Sequence, residues 1–288
     1  MKFRIPHSMS VLLLTAGLTP SLMAQVINGE KPKYSDLENI GKRKMQFNFT
    51  SLEKEAAIGR QASAQIEQDS IIVDDSEING YVDRIAQNIA KNSDSQFPIT
   101  MKVIQSDKVN SYALPGGSVY VTTGLIKALD NEAELAFVIG YSVGHVAART
   151  ATRNMAKANI LQIAAVPQII FTGGVAATAI QEAAQLGIPM GMAHLEQKSS
   201  AEADFLGLAY MYKTGYDPQA AVSFFTKVKA LEASRPKEAF MFSTVPPAAD
   251  RIKATGETIK NVLPPRADNL LNTPEFDAIK ARVERLTK

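Results

Sequence analysis

The stretch NEAELAFVIGYSVGHVAAR, residues 131–149, is the most informative part of this 288-residue chain. Asn131 and Glu134 have the spacing of a capping box, so a helix is predicted to begin here. The residues that follow are largely apolar, and we expect one helix that continues to about residue 157. This predicted helix carries a single imidazole, that of His145.

The positions around His145 have the spacing of a zinc-peptidase helix but not its residues. In an H-E-x-x-H helix, two histidines four residues apart bind the metal, and the glutamate takes a proton from the metal-bound water. Here Tyr141 and Ser142 stand where the first histidine and the glutamate would be. A phenol with an ordinary pKa of about 10 is a poor zinc ligand at neutral pH, and serine cannot act as the base.

Helical signals occur on both sides of this stretch. Thr50 and Glu53 form another capping box, which predicts a helix from residue 50, and a second helix is predicted over about 76–91. Later helices are predicted before and after the turn TGYDP (214–218), and after the two prolines of VPPAADRI. The chain is therefore predicted to be mostly α.

A short region with a different periodicity predicts a small β-sheet. TMKVIQ (100–105) and SVYVTT (118–123) are rich in β-branched residues and flank the turn ALPGG, which is typical of two strands. Together with the helices, these strands define the predicted fold class as α+β.

The ends of the chain divide it into regions. Residues 1–24 combine a basic start, an apolar core and a small residue at the cleavage point, which is the pattern of a secretory signal peptide; an uncleaved anchor is the alternative. Residues 25–49 are predicted to form an N-terminal arm, 50–263 the folded domain and 264–288 a polar, partly helical tail. Export predicts a periplasmic or otherwise extracytoplasmic location.

Charge and cysteine content exclude several classes of function. Without residues 1–24, the chain carries 29 basic and 29 acidic residues, so no basic field is left to attract nucleic acid. The chain has no cysteine, which excludes disulfides and a lipid-modified N-terminal cysteine.

Residues 159–193 form a nearly uncharged insert within the domain, with Glu182 as its one charged residue. A single membrane span is one interpretation. We favour two apolar helices with a hinge at Gly173 and Gly174, because glycines and prolines cut the segment into pieces shorter than the ~20 residues of a span. Such a segment is predicted to offer peripheral contact to a membrane surface or to an unfolded client.

Four blocks of sequence, taken in order, resemble the zinc metallopeptidase family of HtpX, BepA and the CAAX prenyl protease, which are gluzincin-type peptidases. They are NSYALPGGSVYVTTGLI (110–126), the helix at 131–149, SSAEADFLGLAYMYKTGYDP (199–218) and FSTVPPAADRI (242–252). The resemblance implies a gluzincin-like domain, with a small sheet packed on the active-site helix and a helical C-terminal part. It also implies zinc as the family's cofactor and peptide-bond hydrolysis as the family's reaction.

The same comparison locates this chain's departures from the family at the chemical positions. Tyr141 matches the first zinc histidine, Ser142 the catalytic glutamate, and Ser200 the glutamate that is the third ligand. Val245 matches a histidine that lies near the active site in family members, and His145 is the ligand position that is retained. We therefore predict a degenerate active site and expect no cofactor.

Two other chemistries remain as alternatives. A different zinc site would use His145, His194 and a carboxylate such as Glu196 or Glu202, although the two-residue offset of Glu202 from the ligand position turns it to another side of its helix. A serine nucleophile would pair Ser142 with His145, but no G-x-S-x-G elbow accompanies it.

The resulting functional prediction is a non-catalytic protein of the cell envelope that binds an extended or unfolded polypeptide or has a regulatory role. In peptidases of this architecture a strand beside the active-site helix pairs with substrate, and such pairing needs no metal. The residues predicted to do so are Ser118, Val119, Tyr120, Val121 and Thr122. The alternatives are an active metalloendopeptidase with an unorthodox site, and a structural partner protein that docks through residues 159–193.

Overall fold

The computed structural model describes residues 48, 50–160, 190–233 and 245–287. The predictions of a signal peptide, of an N-terminal arm and of an apolar insert concern residues that lie almost wholly outside this description. In chain order the elements are α1 (Leu52–Asp69), α2 (Ser76–Lys91), β1 (Thr100–Ile104), β2 (Ser111–Ala113), β3 (Ser118–Thr122), α3 (Thr123–Ala128), α4 (Glu132–Ala147), α5 (Thr150–Ile160), α6 (Met190–Lys213), α7 (Gln219–Glu232), α8 (Ala248–Asn261) and α9 (Pro274–Leu286). The α+β class with a small sheet and mostly helical content is confirmed.

Side-chain caps fix where the early helices begin. The Asn131 side chain accepts a hydrogen bond from the N–H of Glu134 at 2.9 Å, as the capping box predicts for α4. For α1 the capping residue is Ser51, whose hydroxyl accepts from Lys54 N–H at 3.2 Å. The prediction of Thr50 as the first cap was therefore wrong by one residue.

The sheet has three strands in the order β1-β3-β2. β1 runs parallel to β3, and β2 runs antiparallel to it. β2 was not predicted from sequence, since its three residues, SYA, are too few to show a strand periodicity.

Helix α4 forms the centre of the domain. All its residues are buried except Tyr141 and His145, which are partly exposed. Glycines allow α4 to approach α6 closely: a Cβ added to Gly140 would lie 2.8 Å from the carbonyl oxygen of Gly207, and one added to Gly207 would lie 2.5 Å from Tyr141 N. This close crossing brings the two helices that carry the chemical positions together.

The single helix predicted over 132–157 is in fact two helices. Arg149 has a φ of 50°, in the left-handed region, so the chain breaks between α4 and α5. The side chain of Arg149 is buried and forms an ion pair with Glu55 of α1 at 2.5 Å, and Thr152 donates to the same carboxylate at 2.8 Å. A contact between residues that are 94 positions apart thus stabilises the break.

The C-terminal region belongs to the domain and is not a separate tail. Three side chains of α9 lie in the same apolar core as α2 and α4: Phe276, Ile279 and Val283. Within the described part of the chain, no helix has the length and apolar character that crossing a membrane requires.

Candidate functional site

Tyr141 and His145 lie one turn apart on the face of α4 that keeps a small accessible surface, although both rings are largely enclosed. Their rings are in contact, with centroids 4.6 Å apart and planes at 89°. A spacing of four residues places side chains on one face of a helix, so the two positions are adjacent, as their spacing predicts.

Tyr141 is enclosed by contacts from two other helices. Ser200 of α6 lies near its hydroxyl. The guanidinium carbon of Arg251, in α8, lies 5.3 Å from the Tyr141 ring centroid. Burial raises the pKa of the Tyr141 phenol further above its ordinary value of 10, despite the opposing effect of the nearby Arg251 charge. The phenol is therefore neutral at physiological pH and is not a zinc ligand in that form.

His145 is a neutral imidazole. Burial lowers the pKa of His145 to about 3, and the positive charges of Arg153 and Arg251 add to this shift. The ring touches Tyr141, and neither ring nitrogen hydrogen-bonds to the part of the chain that the structure describes.

Ser142 is buried and connects α4 with β2. Its hydroxyl donates to the carbonyl of Val138 at 3.0 Å and lies 3.3 Å from the hydroxyl oxygen of Ser111 in β2. No hydrogen bond joins it to His145 among the described contacts. The alternative of a Ser142–His145 nucleophile is therefore not supported, because the base does not reach the hydroxyl.

The carboxylates of α6 near the ligand position are held by arginines. Asp204 accepts two hydrogen bonds from Arg251, at 2.8 and 2.5 Å, and both side chains are buried. Glu202 accepts two from Arg153 of α5. As the helical offset predicts, Glu202 turns toward α5 and pairs with an arginine there.

The remaining candidate ligands do not complete a metal site. Glu196 accepts a hydrogen bond from the buried Asn154 side chain at 2.8 Å. The side chain of His194 lies outside the described residues. Val245 lies three residues before α8, and its side chain has no metal-binding atom.

The described residues do not fit the zinc that the family uses. No group of three histidine, cysteine or acidic side chains comes together among them in a way that could hold a metal. A zinc site takes three or four such ligands. Of the three family ligand positions, His145 alone carries a metal-binding group, since Tyr141 and Ser200 supply only hydroxyls.

The strand predicted to bind polypeptide, Ser118–Thr122, lies in the middle of the sheet. β3 pairs with β1 on one side and with β2 on the other. Its backbone hydrogen bonds are used within the sheet, so it cannot add another strand. The expected strand addition along Ser118–Thr122 does not fit this sheet, and strand order is not visible in sequence.

The outer edge of β1 is covered. The N–H of Met101 donates to Asp83 at 3.2 Å, and the N–H of Val103 donates to Asn79 at 3.0 Å, both on α2. The carbonyl of Val103 accepts from the N–H of Val73 at 2.9 Å. These contacts close this edge to a further strand.

The outer edge of β2 has unused backbone groups. The residues that flank β2 make its ladder bonds, with Thr122 N–H donating to Asn110 C=O at 3.1 Å and Leu114 N–H donating to Ser118 C=O at 2.9 Å. In an antiparallel strand, the backbone groups of successive residues point alternately toward the partner strand and away from it. The residues between these two bonds therefore alternate between facing β3 and facing outward.

Ser111 and Ala113 are the residues of β2 that point their backbone groups outward. The Ser111 N–H bonds its neighbour, the Asn110 side chain, at 2.9 Å. Among the described contacts, the Ser111 C=O and both backbone groups of Ala113 remain for an added strand. This edge lies against α4, because Ser111 contacts Ser142.

Arg251, Arg153 and Ser111 were not predicted as site residues. Arg251 lies in the block FSTVPPAADRI, but its contacts with Asp204 and Tyr141 depend on the fold. Nothing in the local sequence of Arg153 or Ser111 marks them, since their roles depend on contacts across 49 and 31 positions.

The helix with paired positions 141 and 145, the crossing helix with Ser200 and the adjoining edge strand define a protein of the metallopeptidase class. The family model for peptidase family M48 matches residues 76–259, and the chain belongs to this family.

The chain is also similar to named proteases. It is 25% identical over 249 residues to the beta-barrel assembly-enhancing protease of Yersinia pestis, an alignment that covers 83% of this chain and 50% of that protein. It is 26% identical over 212 residues to the Escherichia coli K12 protein of that name, with coverages of 68% and 42%. The metalloprotease LoiP of Escherichia coli K12 is 30% identical over 172 residues, with coverages of 58% and 65%. The chain thus spans about half the length of the beta-barrel assembly-enhancing proteases it matches.

Proposed function

We propose that this chain is a non-catalytic member of the M48 family that binds extended polypeptide along the outer edge of β2. The observation that carries the proposal is the edge strand β2, which retains outward backbone groups and lies against α4 at Ser142. Hydrolysis by this family's chemistry needs a metal and a general base. Two ligand positions and the base position have all been replaced here.

Binding along β2 uses backbone groups and so does not depend on the lost chemistry. An added strand would bond to the Ser111 carbonyl and to both backbone groups of Ala113. The bound segment would then lie beside Tyr141 and His145, the two residues of α4 that are not fully buried.

The proposed setting is the cell envelope. It is supported by the signal-peptide pattern in residues 1–24 and by the similarity to proteins named for beta-barrel assembly. The apolar residues 159–193 are proposed to touch a membrane surface or the bound client. Binding to liposomes that is lost when this segment is deleted would support membrane contact over client contact.

The first experiment measures zinc in the purified protein by elemental analysis, after dialysis against micromolar zinc. We expect a content well below one zinc per chain. One tightly held zinc per chain would overturn the proposal and favour the alternative, an active metalloendopeptidase with an unorthodox site.

The second experiment tests the edge strand with an unfolded probe, reduced and carboxymethylated lactalbumin. Ala113→Pro removes an outward N–H and places the proline ring on the free edge, while the ladder bonds of the neighbouring residues stay. We expect binding at least about tenfold weaker, a loss of about 1.4 kcal/mol. Ala113→Ser keeps the N–H and is the matched control, with binding unchanged. Equal binding by wild type and both variants would rule out this edge.

A further inference from the structure

We infer that the β2 edge recognises a short extended segment of about three residues, because the Asn110 side chain closes one end of the edge and Pro115 closes the other. This inference rests on the proposed binding along β2 and adds to it the length of the segment that is recognised. Ser111, Tyr112 and Ala113 are partly exposed, so the edge is accessible between these two ends.

Asn110 closes the end of the edge at which β2 begins. Its side-chain oxygen accepts the N–H of Ser111, the first outward donor of the strand, at 2.9 Å. Thr122 of β3 fixes the backbone of Asn110 from the other side. The Thr122 N–H donates to the Asn110 carbonyl at 3.1 Å, and its buried hydroxyl accepts the Asn110 N–H at 3.2 Å. An incoming strand must therefore compete with the Asn110 side chain for the Ser111 N–H.

Pro115 closes the opposite end. It is the next residue after Ala113 in the outward-facing series, and proline has no N–H to donate. Its carbonyl is covered by α1, since a Cβ added to Gly59 would lie 1.6 Å from the Pro115 oxygen. The chain then turns toward β3, with a φ of 79° at Gly116. Ala113 is therefore the last residue of this edge with groups for an added strand.

Among the described contacts, three backbone groups are left between these ends: the C=O of Ser111 and the N–H and C=O of Ala113. In an antiparallel addition, the ligand residue opposite Ala113 would make two hydrogen bonds, and the residue two positions further on would make one to Ser111. This pattern spans about three ligand residues. Such a site fits short extended stretches of an unfolded polypeptide and does not require a long preformed strand.

The experiment compares the wild type with Asn110→Ala, which frees the Ser111 N–H, and with Asn110→Asp, the matched control that keeps an acceptor at the same place. The probe is reduced and carboxymethylated lactalbumin. Because a fourth backbone group becomes available, Asn110→Ala should bind the probe about fivefold more tightly than the wild type. Asn110→Asp should bind it no more tightly than the wild type does.

Amide hydrogen exchange at single-residue resolution gives a second readout on the same full-length proteins. In the free protein, the Ser111 N–H should exchange about fivefold faster in Asn110→Ala than in the wild type, because it has lost its acceptor. On saturation with the probe, the wild type should show slower exchange at Ala113 and unchanged exchange at Ser111. Asn110→Ala should show slower exchange at both residues.

The outcomes separate this inference from the proposed function. Failure of the wild type to bind the probe, or to slow exchange at Ala113, would overturn binding along β2 and this inference with it. Slowing at Ser111 as strong as that at Ala113 in the wild type would overturn the closed end and leave the proposed function intact. Equal affinities and equal Ser111 exchange in the wild type and Asn110→Ala would have the same consequence.

Discussion

The polar side chains of the two halves of α4 make different kinds of contact. In the N-terminal half, the buried Glu132 accepts hydrogen bonds from Tyr81 at 2.8 Å, from Tyr216 at 2.7 Å and from Thr273. These donors come from α2, from the turn before α7 and from the start of α9. One carboxylate thus connects three parts of the chain.

In the C-terminal half, the polar side chains contact residues of the adjoining elements. The Tyr141 ring contacts His145 and lies near Arg251, Ser142 contacts Ser111 in β2, and His145 is a neutral imidazole. These are the positions at which the family carries its catalytic groups, and the retained framework surrounds them.

The N-terminal half of α4 therefore carries buried acidic residues that stabilise the domain, whereas the C-terminal half carries the positions that the family uses for catalysis. The acidic residues of the N-terminal half stabilise the domain, and their loss would leave buried hydroxyls without partners. In the C-terminal half, Tyr141 and His145 contact each other, and the described residues around them include no group of three metal-binding side chains. The following predictions test this separation, in order of decreasing effect.

The largest expected effect comes from restoring the family's residues together: Tyr141→His, Ser142→Glu and Ser200→Glu. If the framework is intact, the triple variant should bind zinc at least about 1,000-fold more tightly than wild type, a gain of about 4 kcal/mol. Isothermal titration calorimetry measures this, with Ser142→Glu alone as the control that adds no ligand. Unchanged zinc affinity would mean that the C-terminal half has diverged beyond these three side chains.

Glu132→Ala should destabilise the domain by about 3–5 kcal/mol, since it leaves the buried hydroxyls of Tyr81 and Tyr216 without their acceptor. Urea unfolding at neutral pH provides the measurement. Glu275→Ala is the control: Glu275 is 56% exposed in its pair with Arg84, and such pairs contribute about 0–1 kcal/mol. Similar losses in the two variants would show that the buried Glu132 stabilises the domain no more than the exposed Glu275 does.

His145 should make the domain sensitive to acid. Its pKa is about 3 in the folded state, against an ordinary 6.5 in the unfolded state, so below pH 6.5 the unfolded chain binds a proton that the folded chain does not. The free energy of unfolding therefore falls as the pH is lowered through this window, by about 1.4 kcal/mol per pH unit.

The variant His145→Gln isolates this contribution. Between pH 7 and pH 5 the wild type should lose about 2 kcal/mol more than the variant does, while all other titrating groups act equally in both proteins. Urea unfolding at the two pH values measures the difference. Equal losses would show that His145 is not neutral and buried in the folded protein.

Ser142→Ala should have the smallest effect, within about 1 kcal/mol. The lost hydrogen bonds to Val138 and Ser111 are offset in part by the higher helix propensity of alanine. The same urea series detects it, and a loss above about 3 kcal/mol would show that Ser142 is part of the framework.

Most of the elements could be predicted from sequence because their signals are local. The Asn131 cap and the helix Ser76–Lys91 depend on side chains within a few positions of one another, and the structure confirms both. The break at Arg149 could not be predicted, since its ion-pair partner Glu55 lies 94 positions away. The packing of the C-terminal helix could not be predicted either. Its three buried side chains lie in a charged stretch, and nothing local indicates the core against which they pack.

The sequence by itself determined the family, since ordered motifs can be read without coordinates, and the resemblance placed Tyr141, Ser142 and Ser200 at the family's chemical positions. The tertiary structure alone decided that β3 is central, that β2 forms the open edge, and that Arg251 supports the Tyr141 ring. The physical reason is that residue identity and capping are properties of neighbouring residues. Strand order and side-chain contact depend on how distant segments pack around one core.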